Sequence, residues 1–215
     1  MLRVREDQPM TSHPVVFSAD YAERRSRLTT FFRLVLVIPH AIVAFAWSVA
    51  ASIVVIVAWF ALVFTGRWPR GMYEFLAGYI RYLTAVYGYM YLLTDAYPPF
   101  SGSTDAYPVR VAVAAPREHY SRVKALFRIV LAIPVLVINY AMQIVAQIGA
   151  FLSWFAIVAL GRQPKGLQEM TALGLSYQQR SLAYVLLLTE DWPPFTDEGV
   201  LLEEGESPSG WLPPG

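Results

Sequence analysis

An all-α integral membrane protein, made of two tandem copies of one helical hairpin, is the fold class this sequence predicts. Three observations predict it. Residues 27–100 reappear without insertion or deletion as residues 122–195, at a constant offset of about 95, and about 28 of the 74 paired positions are identical. Hydrophobic residues make up 56% of the chain and charged residues 15%, against about 25% charged in an average soluble domain. Residues 39–64 and 134–160 carry no charged side chain, taking His40 as neutral. At about 1.5 Å per residue each run makes a helix of roughly 40 Å, long enough for a hydrocarbon core of about 30 Å.

Residues 1–21 read as a cytoplasmic segment, and within it residues 13–18 alternate as a short strand does. Repeat 1 covers residues 22–100. Its opening stretch, 22–38, is too charged at Arg24, Arg25, Arg27 and Arg33 for a span and too apolar at Leu28, Phe31, Phe32 and Leu34 for a free loop. An interfacial helix fits it, with Pro39 marking the bend into the membrane; one long kinked helix is the competing reading. The span 39–64 ends in the tip Gly-Arg-Trp-Pro-Arg-Gly at 66–71, where glycines permit a reversal and proline presets one dihedral. A second, weaker span follows at 72–93, carrying Glu74 and Arg81. Leu-Leu-Thr-Asp-Ala-Tyr-Pro-Pro-Phe closes the unit, its aromatic suited to the interface and its prolines stopping the helix.

A linker, 101–116, holds a second alternating stretch at 107–113, equivalent in place to 13–18, so that the two could pair into a small cytoplasmic ribbon. Repeat 2, 117–195, restates the unit with Pro134, the tip Gly-Arg-Gln-Pro-Lys-Gly at 161–166 and a second span at 167–188 that carries Gln168, Glu169, Gln178, Gln179 and Arg180. Residues 196–215 form an acidic, proline-containing tail whose composition predicts disorder. Four spanning helices result, as two parallel hairpins with interfacial helices and short strands beside them. Lys and Arg are concentrated in 1–33 and 101–128 and sparse at the tips, which places the termini in the cytoplasm.

The pattern Arg-x-x-x-x-Phe-Arg-x-x-x-x-Ile-Pro (27–39 and 122–134), then Trp-Phe-Ala, Gly-Arg-x-Pro-[Arg/Lys]-Gly and Leu-Leu-Thr-[Asp/Glu]-x-[Tyr/Trp]-Pro-Pro-Phe, resembles bacterial membrane proteins grouped only as a conserved domain of unknown function. The resemblance implies an integral membrane protein, and the four expected spans make it a multi-pass protein of the bacterial inner membrane. It brings no catalytic residue, substrate or cofactor.

Chemistry is sparse in the sequence. There is no cysteine, the three histidines occupy unrelated places in the repeats, and no zinc, nucleophile-elbow or phosphate-loop motif occurs. No enzyme activity, metal or cofactor is expected, and a net charge of +1 argues against a nucleic-acid partner. Arg67, Arg70, Arg162 and Lys165 at the tips, with Arg33 and Arg128 at the opposite boundary, are candidate contacts for anionic lipid headgroups; snorkelling cations without selectivity would look the same. Glu74 lies four residues after Arg70 and suits either a pair with that cation or, with Arg81, a polar path. Ala44, Ser48 and Ser52 share a helix face, as do their counterparts Asn139, Gln143 and Gln147. Such faces pack against each other or a neighbouring subunit, or else line a permeation path.

The function expected is a non-enzymatic membrane scaffold or accessory subunit. It would bind membrane lipids and assemble as a homo-oligomer or within a larger membrane complex. The alternative is a small transporter or channel with a polar path between the repeats.

Overall fold

The structure is a computed structural model that describes residues 13–100, 107–194 and 200–201. Strand β1 (Val15–Ala19) is followed by helices α1 (Arg27–Leu36), α2 (Ile38–Thr65) and α3 (Arg70–Met90). Strand β2 (Val109–Val113) then leads into α4 (Arg122–Leu126), α5 (Arg128–Leu160) and α6 (Lys165–Val185), and β3 (Val200–Leu201) comes last. The acidic tail otherwise lies outside the described residues. Two helices, α2 and α5, are long and apolar enough to cross a membrane.

Local chemistry sets the boundaries in matched pairs. Ser26 and Ser121 cap α1 and α4, each side chain accepting a main-chain N–H three residues on. Gly66 and Gly161 end α2 and α5 with φ of 69° and 71°, and their N–H groups donate to Leu62 O and Ile157 O. Only a residue without a Cβ takes that conformation at little cost. The repeats differ at their entries. In the first, the helix breaks at Val37 and restarts with Pro39 in its first turn; in the second, the break comes earlier, at Phe127, and α5 runs through Pro134.

At the ends of α3 and α6 the Leu-Leu-Thr motif closes a Schellman turn. Leu93 N–H donates to Gly88 O and Leu92 N–H to Tyr89 O; Leu188 and Leu187 do the same to Ala183 and Tyr184. The price is a leucine at φ of 66° and 65°, of order 1–2 kcal/mol each. Burial of both leucines offsets it.

The hairpins are unequal for one readable reason. Tyr79 in α3 holds the place that Gly174 holds in α6. Tyr79, Trp47, Phe75 and Tyr82 fill the space between α2 and α3 with aromatic rings. Gly174 instead lets α5 close in until a Cβ there would sit 2.6 Å from Met142 O.

The hairpins are antiparallel, which corrects the parallel arrangement read from the sequence. The start of α3 meets the end of α6, since Trp68 Nε1 donates to Leu187 O at 3.0 Å and Tyr73 OH approaches Leu188 O at 3.4 Å. The start of α6 meets the end of α3 through Arg25, which reaches both Gln168 and Leu93 O. A two-fold pseudo-axis therefore crosses the helices instead of running along them. Cations then stand at both ends, with Arg24, Arg27 and Arg162 at one and Arg67, Arg70 and Arg122 at the other, and the charge asymmetry used to orient the termini is gone.

The two alternating stretches do pair: β1 and β2 are antiparallel, with Phe17 opposite Val111 and Val16 opposite Ala112. β3 adds in parallel to the other edge of β1. β1 and β2 each lie against the helix of the other repeat, β1 on α6 and β2 on α3. Val15, Phe17, Ala19, Val109 and Val111 point inward, while the outer face carries the Arg110–Asp20 ion pair at 3.1 Å.

Three layers follow: the sheet, then α3 and α6, then α1, α2, α4 and α5. The middle helices form the core and are buried over most of their length. The outer layer is the reverse. Among the described residues, every exposed large hydrophobic side chain except Tyr97, Phe100, Trp192 and Phe127, which joins α4 to α5, belongs to those four helices.

Candidate functional site

Each hairpin tip meets the segment that leads into the other repeat, and a basic cleft opens at each junction. At the first, Arg25 N–H donates to Gly161 O (3.1 Å) and Gln163 N–H to Glu23 O (2.8 Å), so the tip of repeat 2 is stitched to the lead-in of repeat 1 by main chain. At the second, Tyr120 N–H donates to Gly66 O (2.9 Å). Residues 25 and 120, like 66 and 161, are repeat equivalents.

The first cleft, of about 550 Å³, is lined by Arg24, Arg25, Arg27 and Arg162 with Glu23 as its acid. Arg162 and Glu23 are both well exposed and 3.9 Å apart, a loose pair that contributes little. Arg27 lies over Gly161, whose built Cβ would be 3.1 Å from Arg27 Nε. A cation thus faces the carbonyl end of α5, where the helix dipole favours it. Arg25 is buried, and its Nη2 donates to Leu93 O at 2.7 Å and to Gln168 Oε1 at 3.3 Å. Burial lowers its pKa from the usual value, with Asp95 opposing the shift.

The second cleft, of about 720 Å³, gathers Arg67, Arg70 and Arg117 around Glu74, Glu118 and His119. Its acids leave it closer to neutral. Arg122 takes the part of Arg27, its Nη2 reaching Thr65 O at 3.5 Å. Tyr120 takes that of Arg25, its hydroxyl donating to Leu188 O at 3.3 Å.

Of the candidate headgroup residues, Arg67, Arg70 and Arg162 line these clefts, and Lys165 begins α6 beside the first, with Nζ 6.0 Å from the Tyr21 ring centroid. Arg33 and Arg128 are elsewhere. They are 3% and 4% exposed, inside the protein, and their guanidiniums hold the Leu-Leu-Thr turns. Arg33 donates to Tyr89 O, to Thr94 O at 2.8 Å and to Asp95 Oδ1 at 2.6 Å, over the Tyr89 ring at 4.3 Å. Arg128 donates to Thr189 O at 3.0 Å and lies 4.0 Å from the Tyr184 ring centroid. The acids of the two turns reach the helix starts, Asp95 Oδ2 and Glu190 Oε1 each accepting the N-cap N–H at 2.7 Å. A headgroup would have to displace these partners, so the sequence expectation for Arg33 and Arg128 is corrected.

The serine stripe is absorbed within its own hairpin. Ser48 Oγ donates to Ala44 O and pairs with Tyr79 OH at 2.8 Å, and Ser52 Oγ returns to Ser48 O. Asn139 and Gln143 are half-buried and Gln147 is exposed. α2 rests on α3 and α5 on α6, and the two stripes do not pack on each other as expected. Glu74 is exposed at the rim of the second cleft, and Arg81 is half-buried on α3. Among the described residues no group of three or more His, Asp or Glu could hold a metal ion.

Arg24, Arg25, Arg27, Arg117 and Arg122 complete the clefts; in sequence Arg24, Arg25 and Arg117 register only as lead-in charge, and Arg27 and Arg122 as pocket partners of Arg33 and Arg128, which the fold turns inward. The usable signal was the repeat offset itself, which sets Arg27 against Arg122 and Arg25 against Tyr120. A family model described as Domain of unknown function (DUF4389) matches residues 27–102 and again 122–197. No curated protein and no solved structure matches the chain.

Proposed function

Because the chain belongs to the DUF4389 family, a domain of unknown function that prescribes no activity, we propose from its geometry that it is a non-enzymatic scaffold embedded in a bacterial cytoplasmic membrane. Its apolar outer layer sits among lipid chains, and its two basic clefts take anionic headgroups, the first more strongly than the second. The observation that carries this reading is that, among the described residues, all but four of the exposed large hydrophobics lie on α1, α2, α4 and α5. A water-soluble protein rarely leaves so extended an apolar face uncovered. Self-association or a membrane partner would use part of that same layer.

Native mass spectrometry from a mild detergent tests the lipid arm: anionic phospholipid should be retained in preference to zwitterionic. Ion flux through proteoliposomes tests the role. The scaffold predicts flux equal to that of empty vesicles. Flux that falls on Gln143→Leu or Glu74→Gln would replace the scaffold with a pore.

A further inference from the structure

We propose that this protein enters one leaflet only: α1, α2, α4 and α5 lie along the membrane plane, the β-sheet faces water, and no helix crosses the bilayer. The inference rests on the membrane reading above and concerns how the chain sits there. The sheet decides it. β2 runs back along α3, with Val109 against Gly88 and Ala114 O accepting from Tyr73 OH at 2.6 Å. The pseudo-axis passes between the Val16–Ala112 and Phe17–Val111 pairs, so the sheet is centred on the molecule. Helices standing upright would hold that centre at the bilayer midplane. The outer edge of β2, which no other described strand pairs, and the Arg110–Asp20 pair would then face hydrocarbon. Open sheet edges are not found there, because every unpaired backbone group costs several kcal/mol.

Length argues the same way. The 28 residues of α2 and 33 of α5 measure roughly 42 and 50 Å at 1.5 Å per residue. Only tilts of about 45° or more, past the usual 0–40°, would contain them wholly within about 30 Å of hydrocarbon. Laid flat, a helix about 10–12 Å across fits within one leaflet's share of about 15 Å. Both clefts then lie at the same depth, level with the headgroups, and the polar outer face of the sheet is in water. An anionic leaflet is the occupant this face fits, since apolar surface and arginine-bearing ends are presented together.

The chain has no cysteine, so single thiols report position directly. Gly71→Cys and Gly166→Cys place one at each tip, where a Cβ meets nothing within 4 Å, and Ala112→Cys places one at the middle of the sheet. The full chain in sealed cell-derived vesicles is treated with a membrane-impermeant maleimide before and after permeabilisation, with an alkaline carbonate wash beforehand. The expected result is a chain that resists the wash and labels at all three positions from one and the same side. Labelling of Gly71→Cys and Gly166→Cys from opposite sides overturns the proposal, as does an Ala112→Cys that stays unreactive after permeabilisation. A chain released by carbonate overturns the membrane reading itself.

Discussion

Arg33→Met separates an interior clasp from a headgroup contact. Methionine keeps the apolar stem but leaves the buried Thr94 O without its donor, while Tyr89 O keeps the N–H of Leu92. The orphaned Thr94 carbonyl costs about 1–3 kcal/mol, and loss of the cation over the Tyr89 ring adds about 0.5–1 kcal/mol. Asp95 is 27% exposed and recovers most of its hydration, so its share is small. Relief of guanidinium desolvation returns part of the sum. A net loss of about 2 kcal/mol is expected, which for a chain of this size lowers Tm by about 4–8 °C. Arg128→Met, with one carbonyl at Thr189 and a ring at Tyr184, should cost a similar amount. Thermal unfolding in mild detergent, followed by intrinsic fluorescence, reads both. Arg33→Met with an unchanged Tm and reduced retention of anionic phospholipid would refute the reasoning and return Arg33 to the membrane boundary.

Gly174→Ala should destabilise by about 1–3 kcal/mol by overpacking, since its Cβ meets main chain of α5 at 2.6–2.9 Å. Gly166→Ala, in open space, should stabilise by about 0.4–1 kcal/mol, and comparative Tm measurements decide both. His13 is held below its ordinary pKa by burial and by Arg180. The unfolded chain then binds the proton more readily, so stability is full above about pH 6.5 and declines as pH falls toward the folded pKa. His13→Gln should flatten that slope in denaturant titrations at pH 7.5 and 5.5. Arg24→Gln combined with Arg162→Gln, both at the first cleft, should cut anionic lipid retention several-fold while leaving Tm within about 2 °C. An equal loss from Arg67→Gln with Arg70→Gln would show the clefts to be equivalent.

Much of the architecture was legible because it is periodic. The offset of the repeats, the apolar runs that became α2 and α5, the glycine-ended tips and both short strands could each be read from local pattern. The relation between hairpins could not be. Antiparallel and parallel packing bury the same residues within each hairpin, and the choice is fixed by contacts such as Trp68 to Leu187 and Arg25 to Gln168 that no local pattern announces. The arginines misled for a related reason. Arg33 beside apolar residues looks like a snorkelling cation, and only the fold brings the Leu-Leu-Thr turn, some 60 residues away in sequence, to within hydrogen-bonding distance of it. The clefts depended on the same unseen step, since each takes its cations from both halves of the chain.

The exchange of strands between halves, β1 on α6 and β2 on α3, bears on how such a protein could arise. A polypeptide holding one unit would leave its central helix bare on one side and its leading strand with nothing to lie on. Two copies would complete each other by mutual donation, a route to dimers open to any chain that can trade an identical element. Joining them end to end adds no new contact. It replaces the search for a second molecule with a fixed local concentration, so the covalent link itself is what the doubling contributed.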